Sequence, residues 1–401
     1  MVTTVTHYSD PRNRAYPGEG YDGVVRISVG GKSGTGVLLY DGKAILTVAH
    51  LFSQSSLTAS ILFETTKGTQ TLSSDKVTIH PNYDAINENN DLALVWLSAA
   101  APVAAERYTL YRNSDETGQT MTLVGYGTPG TGSSGTFANN GSILRLKANN
   151  QFDADIGTLK NSLGAAMGWI PLAGTQLVAD FDDGTISHDA LGNLINRSGL
   201  GLGNNEGLIA PGDSGGPSFI NGQVTGVASY TASLGLGNIN PDIDSLSNSS
   251  YGEIAAWQRV SVFQQWIDQN LRAQYPNVPA KPEEVQKQIG EGNSGTSYTY
   301  FLLQFTGMRS DLNQLLSVEY ATRDGTANAG SDYLAVQGKL VLYPNESQAV
   351  IPVEIIGDTV SESNETFYLD VVNPVGGNFA EEVVKLTAMR TILNDDGIIW
   401  S

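Results

Sequence analysis

The sequence predicts an all-β protein of more than one domain, and three observations carry that prediction. Short runs of Val, Ile, Leu, Thr and Tyr recur along the chain and are cut by Gly, Asn and Asp, with 45 glycines in 401 residues. This is the pattern of antiparallel strands joined by turns. Only one stretch, 260–271, spaces its apolar residues at a clear helical period, with Val262, Phe263, Trp266, Ile267 and Leu271 on one side. Finally, 275–287 carries three prolines and four charges, the composition of an exposed linker, and strand-like alternation resumes after it. The length also exceeds one ordinary core.

In chain order, residues 1–22 are polar and turn-rich. Strands are expected at 24–29, 36–40, 44–48, 57–63, 91–97 and 121–126, where β-branched and apolar residues cluster between turn residues. The stretch 128–208 is rich in Gly and Asn and reads as extended loops with one or two hairpins. Strands return at 217–220 and 223–230, and the amphipathic helix closes that domain. Beyond the linker, 350–356 and 365–372 are the clearest strands. The division expected is therefore 1–275, a linker at 276–287, and 288–401.

Composition excludes several function classes. The formal charge of −19 disfavours nucleic acid and anionic membrane as partners, since both need a basic face. The excess is concentrated: residues 276–401 hold 17 acidic against 7 basic side chains, a net of −10. Such a balance suits hard cations that prefer carboxylate oxygens. With no cysteine there is no disulfide, zinc–thiolate site or thiol nucleophile. No run approaches the roughly 18 apolar residues of a membrane span, and residues 1–7 lack the pattern of a secretory signal.

The most informative run is Pro211-Gly212-Asp213-Ser214-Gly215-Gly216-Pro217. A serine hydroxyl needs a base to become a nucleophile, and backbone N–H donors to hold the oxyanion that its attack creates. Glycines on both sides allow the tight turn that presents Ser214 and leaves the N–H groups of Gly212 and Ser214 free. Alone, the run equally describes a glycine turn with a capping serine. Its companions are Thr47-Val48-Ala49-His50, an imidazole at a strand end, and Asn90-Asp91-Leu92-Ala93-Leu94, a carboxylate at the mouth of an apolar strand. Such an acid fixes the histidine tautomer and stabilises the imidazolium. The order His, Asp, Ser excludes an α/β-hydrolase, which needs a histidine after its nucleophile, and none follows Ser214.

Together these three blocks resemble the signatures of the trypsin/chymotrypsin family of serine proteases. Gly34–Leu39, His80-Pro81-x-Tyr83, Val124-Gly125-Tyr126-Gly127 and Trp257-x-Arg259-Val260 extend the resemblance over about 20–275. It implies two antiparallel six-stranded β-barrels with a closing C-terminal helix. It also implies His50, Asp91 and Ser214 as catalytic residues, Gly212 and Ser214 as the oxyanion hole, and protein or peptide substrates met outside the cell, as in a secreted bacterial protease. The family's substrate pocket maps onto Leu208, Ser229, Tyr230, Thr231 and Ala255, which carry no acid and imply an uncharged, apolar P1 preference. Glu206 reverses that preference if the loop is shifted by two. The usual mature N-terminal segment is absent, so Asp213 takes either an amine freed by cleavage near Arg14 or an internal cation or hydrogen bonds. The acid-rich turn Asp180-Phe181-Asp182-Asp183-Gly184 either binds a cation or is a plain turn.

In the C-terminal part, the block from Glu319 to Tyr333, the run Ile355-Ile356-Gly357-Asp358 with Glu362 and Glu365, and the ending Asn394-Asp395-Asp396-Gly397 resemble a Calx-beta domain over about 288–399. The resemblance implies a separate antiparallel β-sandwich that binds Ca2+ in a structural role, and contact with a cell surface or matrix. The matching ligand positions are Glu291, Asp332, Asp358, Glu362, Glu365, Asn394, Asp395 and Asp396. Gly357 and Asn394 stand where aspartates are common in that family, which reduces the number of carboxylates. The leading reading is an active serine endopeptidase without membrane insertion or nucleic-acid binding. The rival is an extracellular adhesion or matrix protein whose protease fold is inactive.

Overall fold

The computed structural model describes residues 2–52, 58–137, 144–305, 309, 311 and 313–396. The chain divides into two compact units, Met1–Leu39 with Lys43–Gln264 and Tyr40–Gly42 with Gln265–Ser401. Both are built from antiparallel strands, as expected.

Six strands of the first unit close into a barrel: β1 (Val24–Val29), β2 (Lys32–Leu38), β3 (Ala44–Thr47), β4 (Ser60–Thr65), β5 (Gly68–Ile79) and β6 (Ala93–Leu97), in the order β1-β2-β3-β6-β5-β4. Their side chains dictate which face turns inward. In β1, Ile27 and Val29 are buried while Arg26 and Ser28 lie nearer solvent; β6, at the mouth of which Asp91 sits, is buried throughout. The turn joining β1 to β2 needs positive φ twice, and Gly30 and Gly31 supply it at 55° and 81°. The expected strand at 57–63 forms as β4, and its first residue, Leu57, lies outside the described residues.

The other half of this unit is an open seven-stranded sheet. It contains β7 (Thr120–Gly125), β8 (Leu146–Gln151), β9 (Ala154–Asp155), β10 (Gln176–Asp180), β11 (Pro217–Ile220), β12 (Gln223–Ala232) and β13 (Ile254–Arg259), ordered β8-β7-β11-β12-β13-β10-β9. Leu123, Phe152, Leu177 and Trp257 belong to its core. Beside it, Thr3–Thr4 pairs antiparallel with Gly207–Leu208 and parallel with Gly130–Thr131, so residues read as a polar lead-in are a buried strand. The stretch 128–208 is more ordered than its composition suggests: it contributes β8, β9, β10 and two short helices, α1 (Ile156–Leu163) and α2 (Ala190–Ile195). Asp155 caps α1 by accepting from Gly157 N, and Asp189 caps α2 by accepting from Gly192 N. The closing helix, α3 (Val260–Gln274), straddles the division between the units.

A buried cation takes the place of a covalent tie in the first unit. Arg145, fully buried, donates to Asp22 Oδ1 at 2.7 Å and to the carbonyls of Ala15, Val24 and Glu64. Three separate chain segments, at Ala15, at Asp22 with Val24 and at Glu64, therefore share one guanidinium, which is the geometry that makes a buried Arg tolerable.

The second unit is a β-sandwich. Strands β14 (Gln288–Gly290), β16 (Leu316–Asp324), β17 (Gln337–Leu342), β19 (Glu365–Val375) and β20 (Lys385–Leu393) form one sheet in the order β14-β20-β19-β16-β17, with β15 (Thr296–Gln304) and β18 (Gln348–Ile356) paired as a second sheet. All pairs are antiparallel except the edge pair β14·β20. Phe301, Val318, Tyr333, Leu342, Val353 and Phe367 fill the space between.

Candidate active site

His50 follows β3 in the 3-10 turn Ala49–Leu51, and Asp91 precedes β6; these strands are neighbours in the barrel, paired Thr47↔Ala93. The pairing sets the two side chains side by side. His50 Nδ1 lies 2.7 Å from Asp91 Oδ2, and His50 N donates to Asp91 Oδ1 at 2.9 Å. Asp91 is fully buried while the His50 side chain keeps 30 % of its surface. Burial pulls the His50 pKa down, but the hydrogen bond and charge of Asp91 outweigh it and raise it above the ordinary value.

Ser214 comes from the other half of the unit and joins this pair through its backbone. Its carbonyl accepts from Thr35 N at 2.8 Å, and a Cβ on Gly34 would meet both that carbonyl and Leu51, the neighbour of His50. Gly215 N donates to Ala228 O and Ala228 N to Gly216 O, while the next residue, Ser229, donates its hydroxyl to Asp91 Oδ2 at 2.7 Å. The nucleophile turn, β12 and the acid are thus linked in one polar chain. Among the described residues Ser214 Oγ makes no hydrogen bond, a common state before substrate tightens the geometry.

The turn also leaves its donors free. Gly212 has φ +96°, Asp213 N turns back to Ala210 O, and the N–H groups of Gly212 and Ser214 donate to no described residue. The Asp213 carboxylate is buried and accepts from Gly127 N at 2.8 Å and Ala210 N at 2.9 Å. Burial is the largest influence on it and pushes its pKa up to about 6. Arg14 pairs with Glu64, and Ala15 N donates to Arg145 O, so neither is loose in this structure.

Of the residues read as a substrate pocket, Thr231 and Ala255 are register partners in β12 and β13. Leu208 packs in the core beside Val2 and Leu146. Ser229 faces Asp91, and Tyr230 donates to Gln176 Oε1 and accepts from Trp169 Nε1. The carboxylate of Glu206 is held by Asp182 N and Leu202 N. Sequence reasoning missed Ser229 as a donor to Asp91, and missed Glu88, which clusters with His50 and Asp91. Burial, then the charge of Asp91, raises the Glu88 pKa. The acid run around Asp91 was its only signal. Of the remaining histidines, His80 packs edge-on to Phe263 and His188 pairs with Asp183 at 2.6 Å.

In the second unit the residues read as calcium ligands fall into two groups, Glu291 with Asp395 and Asp396, and Asp332 with Glu362 and Glu365, each offering oxygens within 4.8 Å of one another. Burial, followed by the charge of Asp358 and then Glu362, pushes Glu291 up to about 7, so Asp358 borders the same cluster. Glu365 is likewise raised to about 7, by burial first and then by Asp332. Among the described residues, Asp396 Oδ2 is buried with no hydrogen-bond partner, as an oxygen that awaits a cation would be. Asn394 accepts from Asp396 N and donates to Asp396 O, bracing that loop. Gly397 lies outside the described residues. All-oxygen donors in clustered loops fit Ca2+.

Comparison with known proteins divides the chain in the same two parts. Residues 12–158 match the Trypsin family model and residues 299–396 the Calx-beta domain model. The first span includes His50 and Asp91 and ends before Ser214; the second includes every residue of the two acidic groups except Glu291. The sodium/calcium exchanger Calx of Drosophila melanogaster is 39 % identical over 88 residues, which are 22 % of this chain and 9 % of that protein. Human sodium/calcium exchanger 2 is 36 % identical over 108 residues, 24 % of this chain and 12 % of that one. The chain therefore spans only about a tenth of these relatives' length. Among solved structures, neuropsin, described as a serine protease expressed in the limbic system of mouse brain, aligns with a TM-score of 0.47 and 16 % identity, covering 65 % of this chain and 98 % of that one.

Proposed function

From a chain that carries a trypsin-like serine protease domain followed by a Calx-beta domain, we infer a serine endopeptidase that works through an acyl-enzyme. The observation that carries this reading is the 2.7 Å contact of His50 Nδ1 with Asp91 Oδ2, in a unit whose serine turn leaves the N–H groups of Gly212 and Ser214 without an acceptor among the described residues. His50, with Nδ1–H held by Asp91, has Nε2 available as a base. It takes the proton of Ser214 Oγ as that oxygen bonds to the peptide carbonyl carbon. The carbonyl π electrons become an oxyanion, held by the N–H groups of Gly212 and Ser214. Collapse breaks the C–N bond, and His50 returns its proton to the leaving amine. Water, deprotonated by the same imidazole, then attacks the acyl-enzyme and frees Ser214.

An uncharged, apolar P1 side chain fits best. Leu208 and Ala255 bring no charge, and Glu206, the acid that a shifted loop would offer, already accepts two backbone N–H groups. In the second unit, Glu291, Asp332, Asp358, Glu362, Glu365, Asp395 and Asp396, with Asn394, would hold Ca2+, which supplies cross-linking positive charge and no chemistry.

Labelling with a fluorophosphonate tests the enzyme reading. Stoichiometric labelling of the wild type is expected, together with its loss in Ser214→Ala and a fall in peptide hydrolysis of about 10^6-fold. An unlabelled wild-type protein would favour the rival adhesion reading. Cleavage of a peptide library by the labelled-competent protein then reads P1 directly: products cut after Lys or Arg would overturn the apolar preference.

A further inference from the structure

The most unusual polar feature outside the active site is a nest of buried acids beneath the 201–208 loop. Asp180 ends β10, Asp182 follows two residues later, and Asp189 precedes α2. All three are buried, and one oxygen from each lies within 4.8 Å of the others. Glu206 joins them by accepting from Asp182 N at 2.8 Å, and Asp153 by a side-chain hydrogen bond with Asp180. Among the described residues no Lys, Arg or His forms an ion pair with any of the five.

Asp182 is the telling member. It is 6 % exposed, and its Oδ1 is wholly buried with no hydrogen-bond partner among the described residues. The other carboxylates are positioned by the protein itself. Asp180 Oδ2 accepts from Leu191 N, Asp189 Oδ1 from Gly192 N and Asp189 Oδ2 from Ser198 Oγ. Each of those oxygens keeps a second lone pair. Gly201, at φ +79°, is pressed against the nest: a Cβ there would meet Glu206 Oε2 at 2.0 Å and Asp182 Cβ at 2.8 Å. Asp183, by contrast, turns away to Thr185 and His188.

We propose that Asp180, Asp182 and Asp189 form a divalent-cation site within the protease unit, of calcium type by its donors. Carboxylate oxygens alone, with no nitrogen or sulfur, select a hard cation. Three oxygens all within 4.8 Å of one another are close enough to share one ion with the roughly 2.3–2.6 Å bonds that Ca2+ makes. Mg2+ is less suited, because it needs near-octahedral geometry about 2.0–2.1 Å from its oxygens and gives up water reluctantly. A proton shared between Asp153 and Asp180 relieves their repulsion, but it leaves Asp182 Oδ1 unpartnered; a cation satisfies all three. The ion would pin the end of β10, the start of α2 and, through Glu206, the segment that leads to Leu208.

Calcium equivalents bound by the full chain, counted by equilibrium dialysis, decide the matter in three proteins. D182N is expected to bind one equivalent fewer than wild type. D332N/E365Q, which removes acids from the sandwich, is expected to keep the equivalent that D182N loses. In wild type, calcium should also raise the melting temperature of the protease transition, and in D182N it should not. Equal stoichiometry in wild type and D182N would overturn the site. If D182N does not fold, D332N/E365Q decides alone: a calcium-raised protease transition supports the site, and its absence sinks it. A D332N/E365Q chain that binds as much calcium as wild type would instead count against the sandwich assignment only.

Discussion

Asp91 accepts three hydrogen bonds, from His50 N, His50 Nδ1 and Ser229 Oγ, and each predicts a different consequence of substitution. Asp91→Asn keeps the shape but favours the wrong imidazole tautomer, so kcat should fall about 10^4-fold with the fold intact. The His50 pKa is raised net by Asp91 against the pull of burial. Below that pKa the imidazolium has no lone pair for the Ser214 proton, so activity is lost on the acid side. Removing the carboxylate should therefore move the acid limb of kcat/KM to lower pH. Ser229→Ala should move it the other way, since an Asp91 with one donor fewer holds the imidazolium more strongly; a limb that stays still would argue against the contact. The three signature side chains were legible because each sits in a short contiguous motif. The Ser229–Asp91 bond was not, because it spans 138 positions and serine carries no sign of its partner.

β5 shows why some elements escaped a reading by pattern. Its first half, Gly-Thr-Gln-Thr-Leu-Ser, is mostly exposed and polar, and no apolar side chain of the strand is buried until Val77, so the alternation that makes a strand visible is missing. It is a strand because β4 and β6 flank it and take up its backbone groups. In β8, Leu-Lys-Ala-Asn-Asn-Gln, the same thing happens with asparagines: Asn150 is buried, and its amide donates to the carbonyls of Asp180 and Gly207. Barrel strands with apolar interiors and the helix α3 were readable; strands whose polar residues are satisfied from afar were not. Arg145, at the head of β8, belongs to this class. Arg145→Met leaves Asp22 buried without its cation and is expected to destabilise the first unit by about 3–5 kcal/mol, measured by urea unfolding.

At the scale of the molecule, the acid excess separates into roles. In the sandwich, D332N/E365Q should lower calcium-dependent stabilisation of the second unit, about 2.7 kcal/mol at a calcium concentration 100 times Kd, and leave kcat/KM unchanged. Because burial and neighbouring acids hold Glu291 and Glu365 near 7, calcium must displace protons there as the pH falls. Its affinity should weaken between pH 8 and pH 6, as read by titration calorimetry. The two-part organisation was legible from composition, and the acids of the sandwich from their resemblance to Calx-beta positions. Of the nest, the turn holding Asp180 and Asp182 was visible as a candidate cation site, but Asp153, Asp189 and Glu206 were not, since they approach it only when the long loop folds. The Arg145 junction has one more consequence for a chain that carries a trypsin-like protease domain and no cysteines. A guanidinium that needs three distant segments at once is completed late in folding, so its loss should speed opening far more than it slows closure. For a molecule bathed in its own kind, that difference is lifespan: R145M should be digested by its fellows at a temperature where the parent chain survives.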